Sequence, residues 1–312
     1  MSTLLDSRLV LVTGKGGVGK TTVAMALAVA AADRGLRTIL CEVGEQHHLA
    51  RLFGRPTAAD GEEREFESGL WGTSIDPQRT MREWLHSELH SRALVAVLDK
   101  SNVFQYFVAA APGAKEIVTM AKIWELAQSQ RWSKLASSFD FVVVDAPATG
   151  HALAMLGSPR TFAAFTSRGP IGKQAAQIQA LLEDPQRTGY LAVSQPSEMA
   201  VTETLELEPA LERRLSRTLG TIVVNGVLPR RFSTAELSEM DGSLAAARLS
   251  EGSIRGLEAG RALAARAREQ RSQVARLRRH AQAPVSTLPF RFCARLELTD
   301  IRALARSLVE HL

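Results

Sequence analysis

The chain has 312 residues, 45% of them apolar and 23% charged, a composition ordinary for a globular protein and sufficient for one large α/β core or two small ones. Its net charge of +5 is too mild to imply nucleic acid without a clustered basic patch, so a nucleic-acid partner is not expected. The two cysteines, Cys41 and Cys293, lie far apart and give neither a disulfide framework nor a paired zinc spacing; with a charge already at Asp6 and a glycine loop from Gly14, no cleavable leader is expected, and the chain reads as cytoplasmic.

Residues 8–13 form a short apolar run ending in glycines, as a buried parallel strand does. Residues 21–34 predict an alanine-rich helix closed by Gly35, whose apolar run from Val23 to Ala32 is too short for a membrane span. Residues 38–42 predict a second strand, 56–69 a polar, acidic, solvated loop, and 70–75 another strand, after which Pro77 opens a helix in its first turn. Helical signals dominate 77–138, with breaks near Ser101 and at Ala111-Pro112-Gly113. Residues 139–145 return as a strand, and 160–183 are helical with an interruption at Gly169-Pro170. Strands at 190–194 and 220–225 bracket a helix at 198–217, and a long charged helix at 250–280 precedes a strand at 284–288 and a last helix at 299–312.

This alternation predicts an α/β fold with a doubly wound, mostly parallel sheet. The strand-poor stretches, about 77–138 and 155–185, read as helical inserts into a single domain spanning 1–312.

Gly14-Lys15-Gly16-Gly17-Val18-Gly19-Lys20-Thr21-Thr22 carries the strongest chemical signal. A glycine, four residues, then Gly-Lys-Thr between a strand and a helix is the phosphate-binding loop of P-loop nucleotide hydrolases. Its glycines let backbone N–H groups turn toward phosphate oxygens at a helix N-terminus. Lys20 reaches the β and γ phosphates of ATP, and the Thr21 hydroxyl holds Mg²⁺. Downstream, Asp145 ends an apolar strand and begins Asp145-Ala-Pro-Ala-Thr-Gly-His151. A carboxylate there can hold a water on Mg²⁺, with Gly150 as the hinge of a nucleotide-sensing loop; the plainer reading is an aspartate capping the following helix.

The second lysine, Lys15, makes the loop resemble the deviant loop of the nucleotide-dimerised ATPases, in which the early lysine crosses to the partner subunit's phosphates. A solvated lysine is the plainer alternative. Together with Asp145-Ala-Pro-Ala-Thr-Gly-His-Ala-Leu153, Pro112-Gly-Ala-Lys-Glu116 and Pro196-Ser-Glu-Met-Ala-Val-Thr-Glu-Thr204, the loop resembles the ArsA/Get family, the arsenite-pump and tail-anchored-protein targeting ATPases. The resemblance runs from Leu9 to Leu312 as one half-unit rather than a tandem pair. It implies Mg²⁺-dependent hydrolysis of ATP to ADP, a homodimer or a heterodimer with a related ATPase, and a membrane-protein client or receptor. It also implies that Asn225 reads the adenine edge and that Pro289 and Phe290 border the base from the other side.

Two departures stand out. Where the family's first switch has Asp-Pro-Ala-His, this chain reads Cys41-Glu42-Val-Gly44-Glu45-Gln-His47-His48, so Glu45 or Glu42 must orient the attacking water and hydrolysis is expected to be slow. In the second switch, Ala146 replaces the threonine that usually follows the aspartate.

The remaining signals bear on partners. Two cysteines cannot supply the three thiolates of an arsenite site, so no arsenite binding is expected, and neither the zinc clamp nor an iron–sulfur bridge has its cysteines. Val103, Phe104, Phe107, Val108, Val118, Ile123, Trp124 and Leu126 form either a groove for an apolar partner segment or a plain subdomain core, the latter describing any packed helix. His86 and His90 stand one turn apart, but without a third ligand they read as a solvated face. The arginines of 255–280 are interrupted by Glu258 and Glu269 and read as a solvated or subunit-facing helix. Ile301, Leu304, Leu308 and Leu312 share a face that docks on the sheet or, alternatively, anchors the chain peripherally on a membrane. The competing functional reading is a ParA/MinD-like positioning ATPase that cycles on a membrane or nucleoid surface.

Overall fold

The computed structural model describes residues 4–44, 47–56, 61–88, 113–165, 169–245 and 249–310. Among these residues eight strands form one sheet in the order β3-β4-β2-β5-β1-β6-β7-β8. They are β1 (Leu9–Gly14), β2 (Thr38–Val43), β3 (Arg64–Glu67), β4 (Leu70–Ile75), β5 (Phe141–Asp145), β6 (Thr188–Ser194), β7 (Thr221–Val227) and β8 (Val285–Pro289). Every ladder is parallel except β3 against β4. The fold is therefore the mostly parallel α/β sheet that the strand–helix alternation predicts.

Residues 64–67 correct the expectation of a solvated loop. Arg64-Glu65-Phe66-Glu67 buries only Phe66 and pairs with β4 through the turn at Gly69, whose φ is 78°. An edge strand with one inward side chain looks polar in sequence.

Side chains on alternate strand positions go to opposite faces of a sheet. Val10, Val12, Val143 and Val193 enter one core with α1 (Lys20–Asp33) and the C-terminal helix α10 (Leu298–Val309). Leu9, Leu11, Val142 and Tyr190 enter the other. That second core is covered by α4 (Ala114–Leu126), α5 (Thr149–Phe165), α6 (Pro170–Glu183) and α7 (Glu198–Leu215). The short α2 (His48–Leu52) and α3 (Pro77–Glu88) precede them in the chain, and α8 (Thr234–Ala245) and α9 (Glu251–His280) follow.

Ile301, Leu304 and Leu308 are buried, so the apolar stripe of α10 docks on α1 and the sheet rather than facing a membrane; Leu312 lies outside the described residues. No helix among the described residues is long and apolar enough to cross a membrane. Ile123 and Leu126 also point into the sheet-side core, while Val103, Phe104, Phe107, Val108 and His90 lie outside the described residues.

Two helices differ from expectation. The helix read from residue 160 begins at Thr149, because Ala152-Leu-Ala-Met-Leu156 are strong helix formers, and Gly150 is therefore the second residue of α5 rather than part of a loop. No element was expected at 234–245, where α8 forms without one buried residue and so without an apolar stripe to signal it.

Candidate functional site

The carboxyl ends of β1, β2, β5 and β6 meet at the centre of the sheet, the edge where open α/β sheets bind ligands. Register places Val12 beside Asp145, Glu42 beside Asp145, and Gly14 beside Val193. The loop Gly14–Gly19 leaves β1 there and enters α1.

Gly14 is required by close approach. At φ 144° a Cβ on it would sit 2.1 Å from the Val193 carbonyl oxygen, so the loop can leave the sheet beside β6 only without a side chain. Gly19 is constrained on its other side, with φ 89° and a virtual Cβ 2.3 Å from Asn225 Nδ2. Gly16 and Gly17, by contrast, are exposed and face open space. Val18 is buried and pins the loop from below. Asn225, from β7, donates Nδ2–H to the Val18 carbonyl at 3.0 Å, and Gln195, after β6, donates to the Gly17 carbonyl at 3.3 Å. A concave backbone with two free glycines at its mouth suits the close approach of phosphate oxygens.

Lys20 Nζ lies 3.1 Å from the Lys15 carbonyl oxygen, inside this concavity. Burial lowers its pKa from the usual lysine range, and nearby Asp145 partly opposes the shift. Thr21 donates its hydroxyl to Asp145 Oδ2 at 2.6 Å. Burial raises the Asp145 pKa, the Thr21 hydrogen bond and Lys20 pull it down, and the neighbouring Glu42 raises it again. Asp145 caps no helix, since α5 begins only at Thr149. A hydroxyl and a buried carboxylate beside the glycine loop form a hard oxygen donor set of the kind Mg²⁺ takes. Among the described residues no group of three His, Cys, Asp or Glu side chains could hold a metal, so any cation here draws on bound phosphate and solvent as well.

Lys15 is paired with Glu203 of α7, with both side chains about a third exposed. It therefore points away from its own loop. Glu42 is buried; its Oε1 accepts from the His48 backbone N–H at 2.7 Å and lies 3.1 Å from His48 Nδ1, so it holds the first turn of α2. Glu45 lies outside the described residues. Gly44 has φ 101°, and its carbonyl accepts from the Ser74 hydroxyl at 2.7 Å. Thr22, the second threonine of the loop, is half-buried in the first turn of α1.

Past Asn225 opens a cleft of about 510 Å³ lined by Gln195, Pro196, Asn225, Gln270, Phe290 and Phe292, among others. Phe290 and Phe292 meet edge to face at 4.9 Å. Pro289 ends β8 opposite Val227 and does not line this cleft. The structure thus joins Asn225 and Phe290 in one cleft beside the loop. Sequence reading missed Gln195, Phe292 and Glu203. Gln195 could have been found as the polar residue leaving a buried strand at the ligand edge, and Phe292 as the second of a pair of aromatics after the last strand. Glu203 lies within the segment 196–204 that carries the resemblance, but nothing local signals its pairing with Lys15, 188 residues away.

A family model described as anion-transporting ATPase matches residues 7–169, which hold the loop, Glu42 and Asp145. The ATPase BagA of Mycobacterium tuberculosis is 28% identical over 242 residues, covering 76% of this chain and 70% of that protein. A putative arsenical pump-driving ATPase of Halobacterium salinarum is 26% identical over 238 residues, covering 73% of this chain but 36% of its own length. The arsenical pump-driving ATPase of Escherichia coli is 26% identical over 238 residues, covering 70% of this chain and 39% of its own.

Proposed function

The chain belongs to the anion-transporting ATPase family, and from that membership we propose that its ATP hydrolysis opens and closes a two-chain assembly that captures and releases a protein partner. The observation that carries this reading is the Thr21–Asp145 hydrogen bond of 2.6 Å beside the loop, which ties the first turn of α1 to the strand that feeds α5. Lys20 binds the β and γ phosphates; Thr21 and Asp145 hold Mg²⁺, which when bound neutralises charge on the phosphates. Asp145 then relays the state of the nucleotide to α5 through residues 146–148. Asn225 reads the base while bracing Val18.

Lys15 acts across the interface. In the single chain it is held by Glu203 of α7, so reaching a partner's phosphates exchanges one anion for another. With Gly44 in the place of the switch aspartate and Glu42 engaged by His48, the site positions its attacking water poorly, and a related chain with a complete switch is the fitting second protomer. With two cysteines, one of them sealed in β2, the chain has no thiolate set for arsenite.

The partner side rests on a second cleft, of about 110 Å³, where Met81, Trp84, Ile117, Val118, Phe162 and Ile171 come together from α3, α4, α5 and α6. It is lined almost wholly by apolar side chains and fits an apolar segment of a client better than a nucleoid or lipid headgroup surface.

Two substitutions and one sedimentation experiment test the reading. Lys20→Ala abolishes ADP binding, while Lys15→Ala leaves ADP binding intact and lowers both turnover and ATP-dependent dimerisation. Unchanged turnover in Lys15→Ala sinks the cross-subunit role. Pelleting of the chain with vesicles or DNA in ATP but not in ADP favours the surface-cycling reading instead.

A further inference from the structure

The basic charge of this protein is concentrated in one place. Residues 228–280 contain eleven arginines and six carboxylates, a surplus equal to the net +5 of the whole chain, so the remainder is balanced. These residues form α8, which buries nothing, and α9, which buries only Ala267, Gln270, Val274 and Leu277, all in its C-terminal half. Packing into the sheet therefore does not explain the N-terminal half of the pair.

Between the two helices lies a cleft of about 490 Å³ with Ala264 and Ala267 on its α9 wall. Arg230 and Arg231 reach it from the loop after β7, and Arg268 and Arg271 from α9. Its carboxylate, Asp241, pairs with Arg261 at 2.8 Å, and none of the four arginines pairs with a carboxylate among the described residues. The four arginines line one concavity and all are exposed, so a ligand with two or more negative charges can draw on several of them at once. Guanidinium forks match phosphoryl oxygens two at a time. The Thr234 and Ser238 hydroxyls on the α8 wall add neutral donors.

The cleft also adjoins the nucleotide site. The Arg231 guanidinium lies 4.6 Å over the Phe292 ring, and Phe292 meets Phe290 edge to face in the cleft beside Asn225. One helix, α9, lines both clefts, with Arg268 and Arg271 on one and Arg266 and Gln270 on the other. We propose that the cleft between α8 and α9 is a second anion site, for a phosphate-bearing ligand, set next to the base end of the nucleotide site. Holding Arg231 on such a ligand changes its stacking on Phe292, so occupancy alters nucleotide affinity, and by linkage nucleotide alters the affinity of this site.

The chain saturated with ADP and excess Mg²⁺, which keeps the loop filled, is titrated with pyrophosphate by calorimetry, and the same ADP-loaded chain is sedimented with phosphatidic-acid vesicles and with phosphatidylcholine vesicles. The double variant Arg268→Gln/Arg271→Gln is compared with Arg255→Gln/Arg278→Gln, which removes the same charge outside the cleft. Pyrophosphate binding that weakens about tenfold or more in the cleft variant, and about twofold or less in the control, establishes the site for soluble phosphate esters. Retention on phosphatidic-acid vesicles alone, lost in the cleft variant only, establishes it for a lipid headgroup. Absence of both, or equal loss in the two variants, overturns the proposal. Wild-type failure to bind ADP would instead strike the nucleotide reading, and ADP binding by the cleft variant shows that it folds.

Discussion

The two ends of the proposed nucleotide site are built on different principles. At the loop end, position is set by buried backbone: β1 and β6 run side by side, Gly14 lies against the Val193 carbonyl, and Val18 is sealed beneath the loop. At the aromatic end, the pieces are exposed side chains on the rim of β8 and α9, and Phe290 and Phe292 leave 46% and 56% of their surface free. The first end is set by the packing of the chain itself, and the second offers exposed side chains to what it holds. Glycine substitutions separate the two most widely. Gly14→Ala drives a Cβ into a backbone oxygen that cannot move without breaking the β1–β6 ladder, and should cost about 3–5 kcal/mol of folding stability. Gly226→Ala, beside Phe290, meets only the ring at 3.8 Å and bears its positive φ alone, a cost of about 1–2 kcal/mol. Urea midpoints of the two variants measure the difference; equal midpoints would remove the distinction between the ends.

Proton linkage tests the same distinction. Burial holds the Lys20 pKa below the ordinary lysine value in the free chain, and a bound phosphate raises it. ADP affinity should therefore be constant below the lowered Lys20 pKa and fall as pH rises through it, at up to about tenfold per pH unit. Among the described residues no lysine lines the aromatic end, so this dependence belongs to the loop. Titrations at increasing alkaline pH on wild type and on Phe290→Ala should give parallel slopes with different intercepts.

Asn225 belongs to both ends, and its loss should fall between the extremes. Its amide donates to the Val18 carbonyl and lines the base-side cleft. Asn225→Ala removes one half-buried hydrogen bond and, on the proposed reading, one polar contact to the base, about 1–2 kcal/mol, or roughly tenfold in ADP affinity. If adenine and guanine nucleotides are weakened equally, Asn225 acts only as a brace for the loop and not as a reader of the base.

The contrast also explains what the sequence disclosed. The interior strands, the loop and Asp145 were legible because they rest on local patterns: apolar runs of strand length, glycines at fixed offsets, a carboxylate closing a buried strand. The Lys15–Glu203 pair was not, since only the packing of α7 beside the loop brings those side chains together. Edge strand β3 hid behind three outward polar residues, and α8 hid because it buries nothing. The arginines of α9 were visible as charge, but their convergence depends on α8 and on the loop at Arg230, and no pattern within one helix encodes that.

The smallest expected effect is at Phe290, and its size decides how the aromatic end works. The ring is half-exposed, contacts Phe292 edge to face, and lines the cleft without a polar tether to the loop. Stacking on a base through such a ring contributes about 1 kcal/mol, so Phe290→Ala should weaken ADP about fivefold while leaving inorganic phosphate binding at the loop unchanged. Because Arg231 stacks on Phe292 and not on Phe290, removal of Phe290 should still leave the arginine cleft intact. A Phe290→Ala chain that loses phosphate affinity as strongly as ADP affinity would show the aromatic end to be mechanically continuous with the loop, and the division between a preformed end and a ligand-completed end would fail.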